Sequence, residues 1–227
     1  LPSSYIYSDS IELQCPSFCL DSLSLLKEFH LQAQLSSADI PWLSTKFQDA
    51  QLEDVELQVN VQAQGDMHDL TIGQYQLYSQ NDLVAMNGSA RVSNLNQSSR
   101  QWQSAWKHIS VDPLLIEYYK ALFPHETLSL PEDILYNLGK SSFEGNIASI
   151  DETLSMNGHF YTQPGDFDAD VNLQKRTDGF YDGSAKIHIP AYRLDELLDQ
   201  EIFQGNTSVR LQAQAKALGS KYAQLKA

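Results

Sequence analysis

Positive charge is scarce in this sequence. Its 227 residues include 15 Lys and Arg against 29 Asp and Glu, so the formal net charge is -14, and the pI is near 4.6. A protein that binds nucleic acid uses Lys and Arg to displace the counterions of the phosphates, and no basic cluster is present. The composition therefore excludes a nucleic-acid partner and disfavours docking onto an anionic lipid surface.

Glycine, proline and long apolar runs are scarce as well. With 11 Gly and 8 Pro, the chain is neither collagenous nor of low complexity, and an apolar content of 42% argues against disorder. No run approaches the roughly 18 apolar residues that cross a bilayer. The sequence also has no initiator Met and no signal peptide, and its last residues continue an alternating pattern. We therefore interpret it as a piece of a longer protein, with one large or two small domains.

Cysteine is limited to Cys15 and Cys19. A zinc site needs two more ligands, and no His lies at a suitable spacing, so no metal site is predicted. In an oxidising compartment the two residues can form a local disulfide, for which a four-residue spacing has the right geometry only in a turn or a helix. Two buried thiols are the alternative, and the sequence leaves both open.

Alternation between apolar and polar residues dominates the chain. It is clearest in residues 54–65, 166–174 and 208–218, where the polar positions hold mostly Gln, Asn and Asp. The apolar positions of these segments are Val55, Leu57, Val59, Val61 and Ala63, then Phe167, Ala169, Val171 and Leu173, and then Val209, Leu211, Ala213, Ala215 and Ala217. Shorter examples lie at residues 29–34, 143–148, 154–161 and 185–190. A period of two with one wet face predicts half-buried strands of an antiparallel sheet.

Short helices and turns are predicted between these strands. Asp112 and Pro113 supply an N-cap and a first helical residue for a helix over residues 114–122. Residues 131–138 and 194–203 have the pattern of two more helices, whereas residues 20–29 fit either a helix or a strand with a turn. Dipeptides typical of turns occur at Gly65-Asp66, Asn87-Gly88, Asn157-Gly158, Pro164-Gly165, Asp178-Gly179 and Asp182-Gly183.

A strand that runs into a short helix occurs twice. Residues 108–115 resemble residues 187–194, which residues 195–198 follow, and in each case a Gly and a fresh alternating strand come next. A unit of about 80 residues that recurs in this way is typical of an extended, stacked sheet. We predict one unit over residues 29–138 and a second over residues 139–227, with residues 1–28 unassigned.

The order of these motifs resembles the AsmA-like/TamB family of bacterial envelope proteins. A strand ends at Gly65, the turn Asp69-Leu70 and two strands follow, and small residues surround Gly88. Later a strand enters a helix with the sequence Leu194-Asp195-Glu196-Leu197-Leu198. The resemblance covers most of residues 29–227 and depends on the order of the motifs more than on any one of them.

The resemblance implies a periplasmic protein that a missing N-terminal anchor holds at the inner membrane. Its fold would be a mainly β, largely antiparallel, extended and curved sheet with short capping helices, shaped as a groove; a closed β-sandwich is the alternative. Such proteins are implicated in phospholipid transport between the membranes and in outer-membrane protein assembly, which implies phospholipid and an assembly factor as partners and no cofactor. The groove-lining candidates are Val55, Leu57, Val59, Val61, Phe167, Val171, Leu173, Val209 and Leu211.

Catalytic patterns are weak. Asp166, Asp168 and Asp170 project from one strand face about 6.6 Å apart, a spacing that would suit glycoside hydrolysis or calcium binding, but a solvated acidic face is the favoured interpretation. Residues 178–183 lack the full spacing of a calcium loop, which favours a hairpin turn. The six His residues are scattered singly. We predict that the chain is not an enzyme.

Aromatic residues gather around the helix predicted at residues 114–122. They are Tyr118, Tyr119 and Phe123, which lie beside Leu122, together with Trp102 and Trp106 just before it. They form either a mouth over a lipid groove or, as we favour, a plug for the core beneath the helix.

Two other functions remain as alternatives. A secreted adhesion or glycan-binding module would suit the Tyr-rich, acidic surface, but it calls for a row of exposed aromatic residues on one strand. A β-rich glycosidase depends only on the carboxylates of residues 166–170.

Overall fold

In the part of the chain that the structure describes, eleven antiparallel strands form one sheet in which every strand pairs with its neighbours in sequence. The computed structural model describes residues 4–14, 25–66, 68–94, 101–124, 131–177, 180–199 and 205–218. The strands are β1 (Tyr5–Gln14), β2 (Leu25–Ser36), β3 (Glu56–Gly65), β4 (Asp69–Ser79), β5 (Val84–Ser93), β6 (Gln101–Val111), β7 (Ser141–Ile150), β8 (Thr153–Tyr161), β9 (Gly165–Lys175), β10 (Tyr181–Arg193) and β11 (Asn206–Leu218). The predicted mainly β, antiparallel fold is therefore confirmed.

Four short helices of the described residues lie at one end of the strands. They are α1 (Pro41–Asp49), α2 (Leu115–Leu122), α3 (Glu132–Asn137) and α4 (Leu194–Leu198), and a 3-10 turn (Ser37–Asp39) precedes α1. They connect β2 to β3, β6 to β7 and β10 to β11. Consecutive strands alternate in direction, so all three connections lie at the same end of the strands. A helical connection thus recurs after every fourth strand. The predicted repeat, in which a strand runs into a short helix, corresponds to the connections that follow β6 and β10.

The predicted helices are present with shifted ends. Helix α2 begins at Leu115, because Asp112 and Pro113 form a turn in which the Asp112 carboxylate accepts a hydrogen bond from the Leu114 N–H at 2.9 Å. Helix α4 ends at Leu198, and Asp199 adopts φ 49°, so the predicted extension through residue 199 is wrong. The strand alternative applies to residues 25–29, which belong to β2. Cys15 and Cys19 lie outside the described residues.

Three predicted turns are wrong. Asn87-Gly88 lies within β5, Asn157-Gly158 within β8 and Asp182-Gly183 within β10. In the first two strands the glycine makes room for an aromatic ring that lies across it, as described below. At Asp182 the pairing of β10 with β11 shifts in register, so the glycine accompanies an irregularity within a strand.

The sheet is open, curved and groove-like, and it does not close into a sandwich. Its strand order runs from β1 to β11, and the first and last strands do not pair. Among the described residues no large side chain is less than 2% exposed. Within the described ranges, no second layer therefore buries the sheet in the way a sandwich core is buried.

The described helices are all short. The longest, α1, has 9 residues, and none of those described is long and apolar enough to cross a membrane.

Candidate functional site: the apolar face of the sheet

One side of the sheet is apolar across ten strands. Cross-strand partners point to the same side of an antiparallel sheet, so the register defines rows of side chains that run perpendicular to the strands. One row is Leu31, Val61, Tyr75, Gly88, Trp106, Gly145, Gly158, Ala169, Ile187 and Leu211. A second is Ala63, Ile72, Ala90, Ser104, Ile147, Met156, Val171, Ala185 and Ala213. We call this side the apolar face.

Eight of the nine groove-lining candidates lie on the apolar face. Their strands are β3, β9 and β11, and the residues are Leu57, Val59, Val61, Phe167, Val171, Leu173, Val209 and Leu211. The ninth, Val55, precedes β3 and packs against a cluster of side chains beneath the helices. The structure therefore brings the eight together on one surface and places Val55 at its end.

Large apolar side chains on this face keep substantial contact with solvent. Leu211 is 51% exposed, Leu154 is 39% exposed and Leu35 is 37% exposed. Small residues between them are buried, among them Ala33 and Ala169. Side chains in a sandwich core lose nearly all of this exposure to the opposing sheet. The apolar face is thus a surface available to a ligand, and not the interior of a closed core.

The opposite side of the sheet is polar, and we call it the polar face. The row Gln32, Asn60, Gln76 and Asn87 crosses the first strands. The row His159, Asp168, His188 and Arg210 crosses the last ones. Some of its side chains pair across the strands, such as His159 with Asp168 at 2.7 Å, and the alternating pattern predicted a polar side of this kind.

Aromatic rings lie close to glycines in the middle of the apolar face. A Cβ atom at Gly88 would be 2.6 Å from the Tyr75 hydroxyl, and one at Gly145 would be 2.7 Å from the Phe143 ring. Phe143 contacts Phe160, which stacks on Phe167 with ring centroids 4.7 Å apart and planes 8° apart. The glycines therefore leave room for rings that would otherwise stand out from the sheet.

The helices cover the end of the apolar face with a small core of their own. Phe47 of α1 and Tyr118 of α2 meet edge to face, with ring centroids 5.0 Å apart, and Leu83 is buried beside them. The Tyr118 hydroxyl donates a hydrogen bond to the Glu53 carbonyl at 3.1 Å. Burial raises the pKa of Tyr118, so this hydroxyl stays protonated and acts as a donor. We call these three side chains and the helices α1 and α2 the helical cap.

Two apolar cavities flank α2 within the helical cap. One, of about 380 Å³, is bounded by Leu35 and Leu57 of the sheet and by Leu43 and Phe47 of α1. The other, of about 490 Å³, lies on the side of Val111 and α3. The cavities share three residues of α2: Leu115, Tyr118 and Leu122. Residues of the apolar face line part of both cavities, so the face continues into these cavities where it meets the helices.

The aromatic residues singled out near α2 divide between the two interpretations. Tyr118 is buried in the helical cap and plugs it, whereas Tyr119 and Phe123 line the larger cavity and remain exposed. Trp106 and Trp102 belong to β6 and lie on the apolar face. Helix α2 and the residue after it thus supply both a side chain that fills the core beneath the helix and side chains that border an apolar cavity.

The aspartates of β9 lie on the polar face, where Asp168 is held by histidine. His159 Nδ1 donates to Asp168 Oδ1 at 2.7 Å, and His188 Nδ1 lies 3.7 Å from Asp168 Oδ2. The hydrogen bond from His159 holds the pKa of Asp168 below its usual range. The general acid of a glycosidase needs a raised pKa. The pKa of Asp168 is lowered, so this residue does not meet that requirement.

No metal-binding geometry accompanies these residues. Within the described ranges, no group of three or more His, Cys, Asp or Glu side chains is arranged to hold a metal ion. Asp178 and Gly179, from the loop that was compared with a calcium site, lie outside those ranges.

No protein-family model, no curated protein and no solved structure that was compared with this chain matches it. The likeness to the AsmA-like/TamB family therefore stays a hypothesis that depends on motif order.

Proposed function

We propose that this chain is a non-catalytic segment of an AsmA-like/TamB-type protein that shields lipid acyl chains on its apolar face. In this proposal the parent protein is periplasmic, is anchored in the inner membrane, and moves phospholipid between the inner and outer membranes, supports outer-membrane protein assembly through a partner there, or does both. The expected ligand is phospholipid.

The observation that carries the proposal is the continuity of the apolar face. Rows of apolar side chains cross from β2 to β11 without a charged residue among their members, and large ones such as Leu211 keep half of their exposure. Soluble monomers rarely leave a contiguous apolar surface of more than a few hundred Å² uncovered unless something binds there. An acyl chain suits this surface because it gains about 0.8 kcal/mol for each buried methylene and needs no directional contact.

The shape of the sheet favours a linear ligand. The rows run across the strands, which are about 4.8 Å apart, so ten neighbouring strands offer an apolar path of roughly 40 Å. A compact ligand would use only part of that path. The amide and charged groups of the polar face are solvated by water, so this side of the sheet does not need to be covered by a second layer of secondary structure.

Lipid analysis of the chain purified without detergent tests the proposal. We expect native mass spectrometry to show phospholipid bound at a stoichiometric ratio. A paired label then locates it: Val171→Cys and Asn172→Cys place an environment-sensitive fluorophore on opposite sides of β9, in a background with Cys15→Ser and Cys19→Ser. Added phospholipid should shift the emission of the label at residue 171 to shorter wavelength and leave that at residue 172 unchanged.

Equal shifts at the two positions would indicate non-specific partition and would contradict the proposal. So would the absence of co-purified lipid together with no shift at residue 171.

A further inference from the structure

The smaller of the two apolar cavities, which we call the cap cavity, has a lining made mostly of hydrocarbon side chains. Leu43 and Phe47 of α1 lie on one side of it, and Leu115 and Leu122 of α2 lie on another. None of its lining residues, all of which the structure describes, carries a charge. Apolar cavities of this kind exclude water and bind apolar ligands.

The polar side chains that line the cap cavity are already hydrogen-bonded within the protein. The Ser37 hydroxyl donates to Asp54 Oδ1 and accepts from the Val55 N–H, both at 2.8 Å. Ser36 Oγ accepts from a main-chain N–H at 3.3 Å, and the Tyr118 hydroxyl donates to a main-chain carbonyl. A polar ligand group would find these side chains engaged and would lose its hydration, so the cap cavity selects a hydrocarbon ligand.

The floor of the cap cavity belongs to the last row of the apolar face. Leu35 and Leu57 are cross-strand partners in β2 and β3, and both line the cavity. The next row along the same strands contains Ala33 and Val59. Leu35 is 37% exposed, so the cavity is not sealed from the face. A chain that lies on the apolar face can therefore continue beneath α1 and α2 in apolar surroundings.

The size of the cap cavity suits part of one acyl chain. A volume of about 380 Å³ holds at most roughly twelve groups of the size of a water molecule, which takes up about 30 Å³, and a methylene group is of similar size. A whole phospholipid, with two chains and a headgroup, is too large. The buried side chains of Phe47, Leu83 and Tyr118 border the cavity, so a chain that enters ends against them.

We propose that the cap cavity holds the methyl end of one acyl chain of a phospholipid, while the rest of that chain lies on the apolar face. This inference rests on the proposed function and deepens it, because it assigns one end of the ligand to a fixed place. Continuity with the apolar face favours a chain over a compact hydrocarbon, which would fill the cavity without using the face.

Nitroxide-labelled lipid tests the position of the chain. One phosphatidylcholine carries the nitroxide near the methyl end of one acyl chain, and the matched lipid carries it near the ester bond. We expect the end-labelled lipid to abolish the NMR signals of the Leu43 and Leu83 methyl groups, because a nitroxide broadens the signals of groups close to it. The ester-labelled lipid should leave these signals intact and should broaden signals elsewhere on the apolar face.

A substitution that fills the cap cavity supplies the second measurement. Val84 lines the cavity at the start of β5, and Val84→Phe places a ring in it. This variant should bind the lipid at least about tenfold more weakly, because two buried methylene groups account for a factor of about that size, and the end label should no longer abolish the Leu43 signal. The control Val92→Phe makes the same change on the same face at the other end of β5, and the loss of the Leu43 signal should persist in it.

The outcomes separate this inference from the proposed function. Phospholipid that shifts the emission of the label at residue 171 but leaves the Leu43 and Leu83 signals intact would overturn the inference alone. Equal broadening by the two labelled lipids, or an undiminished effect in Val84→Phe, would also overturn it. The absence of any lipid binding would overturn both proposals. If Val84→Phe does not fold, as urea unfolding would show, the comparison of the two lipids on the original chain decides.

Discussion

At the scale of single residues, glycine and aromatic side chains act as pairs on the apolar face. Tyr75 lies across Gly88, and Phe143 lies across Gly145 and Gly158. A glycine in a strand lowers stability because it loses more conformational freedom than other residues on folding and leaves nothing to pack. Here a nearby ring takes the place of the missing side chain, from the neighbouring strand at Gly88 and Gly158 and from the same strand at Gly145, so the glycine is required by its neighbour and not by a turn.

Substitution of Gly158 by Ala should therefore destabilise the sheet. The new Cβ would overlap the Phe143 ring and the Glu144 carbonyl, and overpacking of this kind costs about 1–3 kcal/mol. The matched control is Gly73→Ala in β4, where a Cβ meets nothing within 4 Å; its effect should stay within about 0.5 kcal/mol. Urea unfolding of the two variants measures the difference, and equal stability changes would contradict the pairing of ring and glycine.

The same positions show where prediction from sequence fails. Asn87-Gly88 and Asn157-Gly158 have the composition of hairpin turns, yet both are in mid-strand. A dipeptide carries no information about a ring that approaches from another strand. By contrast, the alternation around Val59 and Val171 depends only on neighbours in sequence, and it placed both residues on the correct face.

At the scale of elements, the helical cap is a small core apart from the sheet. Phe47, Leu83 and Tyr118 come from α1, the β4–β5 connection and α2, so residues far apart in sequence close one end of the apolar face. The rest of the face has no comparable cluster of buried large side chains among the described residues. The cap should therefore open and close as a local unit.

Removal of the Phe47 side chain should open the helical cap and leave most of the sheet intact. Phe→Ala in a core costs about 3–5 kcal/mol, and Phe47 is 5% exposed, whereas Trp42 on the same helix is 63% exposed. In Phe47→Ala, hydrogen exchange should show loss of protection confined to α1 and α2, while the amides of β8 and β9 stay protected. Trp42→Ala should change neither region, and a loss of protection throughout the sheet in Phe47→Ala would contradict a local unit.

Helix α1 was not predicted from the sequence, and the reason is physical. Only Leu43 and Phe47 of Pro41–Asp49 pack towards the core, and Ser44 and Thr45 are weak helix formers. The helix also has no side-chain N-cap. Two signals were present, namely Pro41 at the first helical position and the i, i+4 spacing of Leu43 and Phe47. Helix α2 was predicted from Asp112 and Pro113 at its start, and Leu115, Tyr118 and Leu122 also give it a wider apolar stripe.

At the scale of the whole molecule, connectivity determines how stability is distributed. Each strand hydrogen-bonds only with its neighbours in sequence, and a helical connection recurs after every fourth strand. Molecules built in this way resemble repeat arrays, in which stability is a sum of local and nearest-neighbour terms. A period of two in the sequence identifies the apolar side of each strand, but it does not say what covers that side. The open arrangement and the closed sandwich therefore both agreed with the pattern.

A charge placed on the apolar face separates these two arrangements experimentally. Ala169 of β9 is buried at 7% exposure, and an unpaired carboxylate there should cost at least about 2 kcal/mol. In an open sheet the damage from Ala169→Asp should stay near β8, β9 and β10, so hydrogen exchange should show protection lost there and kept in β3 and β4. The control Asn172→Asp puts the same group on the polar face of the same strand, where water solvates it, and should leave protection nearly unchanged. If Ala169→Asp removed protection from β3 as strongly as from β9, the two halves would share one core, and the apolar face would be closed to any ligand.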